Sequence, residues 1–226
     1  MQPVYFITGT DTGVGKTVLT ALLARYGRER GIKVAAFKPL CSGGREDAVA
    51  LHTALGGTMT LDEINPWHFR APIAPSLAAQ REKKSVKLAQ VLAHIRATQK
   101  AFSMTLVEGA GGLLSPLGKD FDSRDLIAAL RATPIIAATN KLGAVNHILL
   151  TFEALPKNLR NKARVVLMSP LKSDAATASN ATLLGQFLPA EKILTLPWLG
   201  KNYSLGQAIV RPQVKYTLQK LVGTRC

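Results

Sequence analysis

The residues best suited to chemistry stand early in the chain. Gly9-Thr10-Asp11-Thr12-Gly13-Val14-Gly15-Lys16-Thr17 follows the apolar run Val4 to Thr8 and leads into a helical pattern. A glycine-rich turn between strand and helix aims successive backbone N–H groups, and the positive end of the helix, at a single point. Such a turn holds phosphate. Lys16 is then placed to bridge the β- and γ-phosphates of a nucleotide, and Thr17 to offer its hydroxyl to Mg²⁺. The strict phosphate-loop spacing has glycine where Thr10 stands, and Gly9 and Gly13 supply the flexibility nearby. Lys38 closes the second apolar run, at the same sheet edge, where a lysine on its own is usually just solvated. Asp47 opens the next helical pattern, and capping alone would account for it there. Leu106-Val107-Glu108-Gly109-Ala110-Gly111-Gly112 puts an acid at the end of a third apolar run. Unless it is only a turn residue, an acid there is positioned to hold Mg²⁺ directly or through water. The glycines after it let backbone approach a ligand closely.

Elements that would position these groups alternate along the chain. Short apolar runs at 4–8, 33–37, 104–107, 134–139, 164–168 and 193–196 are rich in Val and Ile, as strands buried on both faces are. Val18, Leu19, Leu22, Leu23 and Tyr26 repeat at helical spacing and stop at Gly31. Further helices are expected over 47–54, 85–101, 123–131, 144–155 and 177–188, with a last one from about Pro212. The fold class implied is α/β: a doubly wound, mostly parallel sheet with helices on both faces, in one domain spanning 1–226. Ligands in such sheets bind beyond the carboxyl ends of the strands. Residues 61–81, with Pro66, Pro72 and Pro75, are expected to form a long irregular loop, and loops of that length are commonly functional.

Composition narrows the class. The 226 residues are 47% hydrophobic and 19% charged, which suits a sizeable core and argues against global disorder. No apolar run reaches the roughly 18 residues that a membrane helix needs. The start, Met1-Gln2-Pro3-Val4, has no basic region ahead of its apolar stretch, so no signal peptide is expected. Cys41 and Cys226 make neither a zinc nor a disulfide framework, and a reduced, cytoplasmic protein follows. Cys41, His68 and His147 read as structural. There are 29 Lys and Arg against 14 Asp and Glu, a formal charge of +15, and residues 154–226 carry 11 basic and 2 acidic side chains. Excess positive charge attracts polyanions. The basic residues are scattered and few aromatics interleave, so solvated surface charge is expected and a primary nucleic-acid role is not.

Taken in order, the loop 9–17, Lys38-Pro39 with Ser42, Glu108 to Gly112, Lys141-Leu142-Gly143 with Asn146-His147, and Pro197-Trp198-Leu199 resemble the dethiobiotin synthetase family, as does Asn65-Pro66 with Phe69, Pro72 and Pro75. The resemblance runs from residue 3 to about residue 199. It implies a phosphate-loop fold and ATP- and Mg²⁺-dependent ring closure of 7,8-diaminononanoate with CO₂. It also implies a homodimer. Carried over residue by residue, Thr12, Gly13, Val14, Gly15, Lys16, Thr17 and Val18 would hold phosphates. Lys16 and Lys38 would be the catalytic cations, and Thr17, Asp47 and Glu108 the metal ligands. Gly109, Ala110 and Gly111 would line the reacting centre, and Ser42 would hydrogen-bond the substrate. Leu142, Gly143, Ala144 and Asn146 of a partner subunit would receive the substrate carboxylate. Met168, Ser169, Pro197, Trp198 and Leu199 would surround the base. Departures are also visible. The segment from Ser42 to Asp47 is short, Asn180 stands where some members carry a substrate-holding tyrosine, and Met168-Ser169-Pro170 replaces a base-reading asparagine. A guanine-reading motif is imitated by Asn140-Lys141-Leu142-Gly143, but Gly143 lacks the needed carboxylate. Residues 10–14 hold no second lysine of the partitioning-ATPase kind.

Overall fold

The computed structural model describes residues 2–223, so Met1 and Cys226 lie outside the described residues. In chain order the elements are β1 (Val4–Gly9), α1 (Lys16–Glu29), β2 (Val34–Phe37), β3 (Leu40–Ser42), α2 (Glu46–Leu55), α3 (Leu61–Ile64), β4 (Trp67–Phe69), α4 (Pro75–Arg81), α5 (Leu88–Gln99) and β5 (Met104–Glu108). They continue with α6 (Ser123–Leu130), β6 (Thr133–Thr139), α7 (Ala144–Ala154), α8 (Lys157–Arg160), β7 (Arg164–Met168), α9 (Ala175–Leu184), β8 (Ile193–Leu196), α10 (Leu205–Ile209) and α11 (Pro212–Val222). The main sheet has six strands in the order β2-β5-β1-β6-β7-β8, and every neighbouring pair is parallel.

Parallel strands need crossovers, and helices on both faces bury them, which is why the strand runs are uniformly apolar. All residues of β2 and β5 are buried. Register aligns the carboxyl ends: Ile7 lies opposite Glu108, Phe37 opposite Val107, and Gly9 opposite Ala137. The chain leaves β1 toward β2 on one side and reaches β6 on the other, so the phosphate loop and the end of β5 meet where the winding reverses. On α1, Leu19, Leu22, Leu23 and Tyr26 are buried, whereas Val18, in the first turn, stays partly open because it faces the site.

Three expectations need correction. Residues 61–81 are not irregular. The Thr60–Glu63 capping box starts α3, Pro75 starts α4 at its first turn, and β4 pairs in parallel with β3 as a second, two-stranded sheet. Elements of three or four residues are too short to display a period. The helix expected over 177–188 runs over Ala175–Leu184 instead, since Asp174 caps it by accepting from the Thr177 N–H at 2.7 Å. The helix expected from residue 85 begins at Leu88, because Lys87 first bridges to Lys119.

Leu22 on α1 is fully buried in the hydrophobic core against which the loop's helix is anchored. Leu22→Ala should cost about 2–5 kcal/mol, seen as a lower midpoint in urea unfolding with an unchanged slope. A loss below about 1 kcal/mol would mean that the helix is not held by this contact.

Candidate active site

The phosphate loop is tied to β6, a neighbour of β1. Past the strand, the Thr10 N–H donates to the Ala137 carbonyl at 3.1 Å, which extends the β1–β6 pairing into the loop. Gly13 (φ 73°) and Gly15 (φ 95°) adopt left-handed backbone that other residues reach only under strain. A Cβ on Gly15 would also lie 2.8 Å from the Met168 methyl, which would have to shift, but it is the backbone angle that reserves this position for glycine. Helix α1 begins at Lys16, and the N–H groups of its first turn have no partner within the helix. Lys16 itself is buried and donates from Nζ to the Asp11 carbonyl at 2.8 Å. Burial, and then the like charge of Lys38, pull its pKa down from the usual lysine range to about 8.

Beside it lies a closed cluster of charges. Lys38, one residue past β2, is 3% exposed. Its Nζ sits 2.6 Å from Glu108 Oε1 and 2.7 Å from Asp47 Oδ2, and donates to the Gly109 carbonyl at 3.2 Å. Burial opposes the charge on Lys38, but Glu108 and Asp47 outweigh it and hold the ammonium above the ordinary lysine range. Burial likewise works against ionised Asp47, and Lys38 overcomes it, holding the carboxyl below the usual carboxylate range. Asp47 therefore does not cap its helix; it faces away, toward Lys38 and Thr17. Thr17 Oγ1 stands 2.7 Å from both Asp47 Oδ1 and Glu108 Oε1. One hydroxyl proton serves only one of these acceptors at a time. Glu108 Oε2 is buried without a partner among the described residues.

These contacts fit a hard divalent cation. Two carboxylates and a hydroxyl meet at one point, with an orphaned carboxylate oxygen among them, and Mg²⁺ takes oxygen donors of this kind. Among the described residues no group of three or more His, Cys, Asp or Glu is placed to hold a metal. The set here has two such residues and a threonine, which suits an ion that keeps waters and shares phosphate oxygens.

Two cavities meet over the loop. One, of about 730 Å³, is lined by Thr12, Gly13, Lys16, Thr17, Lys38, Ser42, Asp47, Glu108, Ala110 and Gly111, with Cys41, Ser115, Pro116 and the 72–75 segment. Ser42 Oγ donates to the Ile73 carbonyl at 2.5 Å, so its hydroxyl ties β3 to that segment. Ser115 Oγ accepts from the Gly112 N–H at 2.9 Å and holds the glycine turn; nothing in the sequence reading pointed to it. The second cavity, of about 610 Å³, shares Gly13, Gly15 and Val18 with the first and runs on past Val14, Met168, Ser169, Pro197, Trp198 and Leu199 to Gly200, Lys201 and Tyr203. The last three were not expected there. A loop beyond a strand end gives no periodic signal.

Other residues stay apart. Leu142, Gly143, Ala144 and Asn146 form the start of α7 but are not among the residues lining either cavity; Leu142 and Asn146 are exposed. Asn180 is buried and donates to Asn140 Oδ1 at 2.8 Å and to the Lys141 carbonyl at 3.0 Å. Asn140 in turn donates to the Thr177 carbonyl at 3.0 Å. Both asparagines latch α9 to the end of β6. His68 sits against the Gly43 carbonyl at 2.7 Å, and His147 is exposed on α7.

Fold and loop together define an α/β nucleotide-binding protein. In overall shape the chain is similar to pNOB8 ParA, solved free and bound to nonspecific DNA, each with a TM-score of 0.57 over 98% of both chains; identities of 11% and 13% make this a likeness of fold alone. Residues 4–202 match the AAA domain family. Curated relatives named ATP-dependent dethiobiotin synthetase BioD include one from Anaeromyxobacter dehalogenans, 39% identical over 85% of this chain and 89% of the relative. Those from Methanococcus vannielii and Akkermansia muciniphila are 38% identical over 67% of this chain and 72% of theirs, and 35% over 82% and 88%. The chain belongs to the ATP-dependent dethiobiotin synthetase family.

Lys16 gives a pH signature. With a pKa of about 8 it is mostly neutral in the free protein at pH 9 and charged at pH 7. A polyphosphate beside it favours the charged form, so binding metal-free ATP should take up nearly one proton at pH 9 and none from this group at pH 7. Calorimetry in buffers of different ionisation enthalpy measures this. Equal proton uptake at both pH values would separate Lys16 from the phosphates.

Proposed function

We propose that the chain makes dethiobiotin from 7,8-diaminononanoate, CO₂ and ATP, as an ATP-dependent ligase of biotin biosynthesis. Membership of the synthetase family supports the activity, and the observation that carries the assignment of residues is the buried Lys38 ammonium beside the phosphate loop. One substrate amine adds to CO₂ and gives a carbamate. A carbamate oxygen takes the γ-phosphoryl group of ATP, which leaves a mixed carbamic-phosphoric anhydride and ADP. The second amine attacks the carbamoyl carbon, phosphate departs and the ureido ring closes. Each step brings anions together or spreads negative charge over oxygens, and fixed cations in a dry site stabilise this most. Lys16 holds the triphosphate. Lys38 holds the carbamate against the γ-phosphoryl, and Ala110 and Gly111 line the reacting centre, with the Gly109 carbonyl behind them accepting from Lys38. Thr12 with Gly13 to Val18 cradles the phosphates, and Ser42 orients the diamine. Thr17, Asp47 and Glu108 would hold Mg²⁺, which, when bound, neutralises charge on the β- and γ-phosphates.

The same reading makes the protein a cytoplasmic homodimer of one-domain subunits. Among the described residues no helix is long and apolar enough to cross a membrane, and one hydrophobic cluster extends from Tyr5 to Val222. Gly143 (φ 85°) precedes α7; the Ala144 N–H is taken by the Lys141 carbonyl at 3.0 Å, and the next N–H groups have no partner within the helix, which suits a carboxylate brought by a partner's substrate.

Incubation with ATP, Mg²⁺, bicarbonate and 7,8-diaminononanoate should yield a product of dethiobiotin mass, and its absence would sink the reading. Lys38→Ala should lower kcat about 10²–10³-fold, the usual cost of a missing transition-state cation, while ATP affinity stays within threefold. Near-normal turnover would remove Lys38 from the chemistry.

The base cleft makes a separate expectation. Its lining contains no carboxamide or carboxylate side chain. The Met168 carbonyl is taken by the Asn140 N–H and the Leu196 carbonyl by the Ser169 N–H, both at 2.9 Å. Without such groups about 1–3 kcal/mol of discrimination is lost. CTP, GTP and UTP should therefore support turnover with kcat/KM near that of ATP. A preference for ATP above about a hundredfold would show a contact that reads adenine.

A further inference from the structure

Helix α2 begins in an unfavourable way. Arg45 occupies its N-cap and makes no capping bond with its side chain, although the helix start favours small acceptors and negative charge. A residue that breaks a local rule in this way is commonly held for another contact. The guanidinium turns to the α3 segment: Nε donates to Asn65 Oδ1 at 3.2 Å, and Nη2 to the Leu61 carbonyl, Asp62 Oδ1 and the Asn65 carbonyl at 3.1, 2.9 and 3.0 Å. Asn65 is buried, and its Nδ2 donates to the Lys38 carbonyl at 2.8 Å. The Lys38 N–H donates to the Ile64 carbonyl at 2.9 Å, so both backbone groups of Lys38 end on residues 64 and 65.

These contacts close a ring. It passes from the Lys38 carbonyl through the Asn65 amide to Arg45, along two residues to Asp47, and back through the 2.7 Å ion pair to Lys38 Nζ. We propose that Arg45 and Asn65 are positioning residues that set Asp47 against Lys38 and Thr17. The proposal rests on the roles given above to Lys38 and Asp47. Only the carboxamide of asparagine serves here, because one end must accept from arginine while the other donates to a carbonyl. Loosening Arg45 frees the start of α2, and Asp47 moves with it. The phosphate-loop backbone, on a different strand, keeps its own bond to Ala137, and only the Thr17 hydroxyl loses a partner.

The test uses the full chain. Arg45→Ala and Asn65→Ala should lower kcat for dethiobiotin at least tenfold, with metal-free ATP affinity within threefold of the parent. Arg45→Lys, which keeps the charge and a single donor, should fall between. It also carries the comparison if the alanine variants do not fold. In an Asp47→Asn background, Arg45→Ala should cost less than threefold, since its effect passes through Asp47. Unchanged kcat alongside a lowered melting temperature would overturn the proposal and leave Arg45 as a fold contact, as would full additivity with Asp47→Asn. A second readout is independent of turnover: the gain in ATP affinity on adding Mg²⁺ should shrink at least threefold in Arg45→Ala. A parent that made no dethiobiotin would overturn the assigned reaction, and this gain would still decide the positioning, an unchanged gain counting against it.

Discussion

A lysine ammonium almost fully out of water is tolerated only if its charge is answered on the spot. Lys38 is answered twice, by Glu108 and Asp47 within 2.7 Å. Glu108 in turn depends on the cation, and removing one member of that buried pair strands the other at a cost of about 3–5 kcal/mol; Asp47, whose side chain is 40% exposed, depends on it less. The three residues come from three places: the end of β2, the end of β5 and the first turn of α2. Their mutual need fixes how those ends converge. The strand order β2-β5-β1 makes the convergence available, because β5 sits between the strand that delivers Lys38 and the strand that delivers the loop.

Geometry of this kind turns an electrostatic demand into preorganisation. Thr17, one residue after the loop lysine, reaches the same two carboxylates, so the phosphate side and the Lys38 side share a wall. Positive and negative charges balance among Lys16, Lys38, Asp47 and Glu108. An incoming polyanion therefore meets cations already desolvated, and draws their N–H groups from the oxygens of Glu108, Asp47, Gly109 and Asp11 that hold them.

Much of this was legible in the residues. The six strand runs were readable because burial on both faces demands apolar side chains throughout, a signal strong even at four or five residues. The loop, Lys38 and Glu108 stood at run ends, where strand order brings them together. Asp47 was ambiguous from sequence, since an acid in a first helical turn is common; only the direction of its side chain separates a cap from an ion-pair partner. The β3–β4 sheet was not legible. Its strands have three residues each, are separated by a helix pair, and are defined by a distant pairing. Asn65 gave a family resemblance but no hint of its bond to the Lys38 carbonyl, because that contact spans 27 residues. The lining of the base cleft by Lys201 and Tyr203 was hidden for a similar reason: it depends on where a loop folds back, and no short pattern encodes that.

The join between the two cavities has a consequence for how such a protein can change. Gly13, Gly15 and Val18 form a narrow waist: on one side lie all the ionised groups of the reacting end, and on the other Met168, Trp198 and their neighbours. The far chamber is built from β7, β8 and the loop after β8, whereas the near one is built from β1, β2, α2 and β5. Trp198, Lys201 and Tyr203 line only the far chamber, so substitutions there replace no residue of the near one, whereas Met168 lies against Gly15 at the waist. On the function proposed above, the residues around the base and those around the reacting groups are largely separate sets, so the first can vary while the second stays fixed.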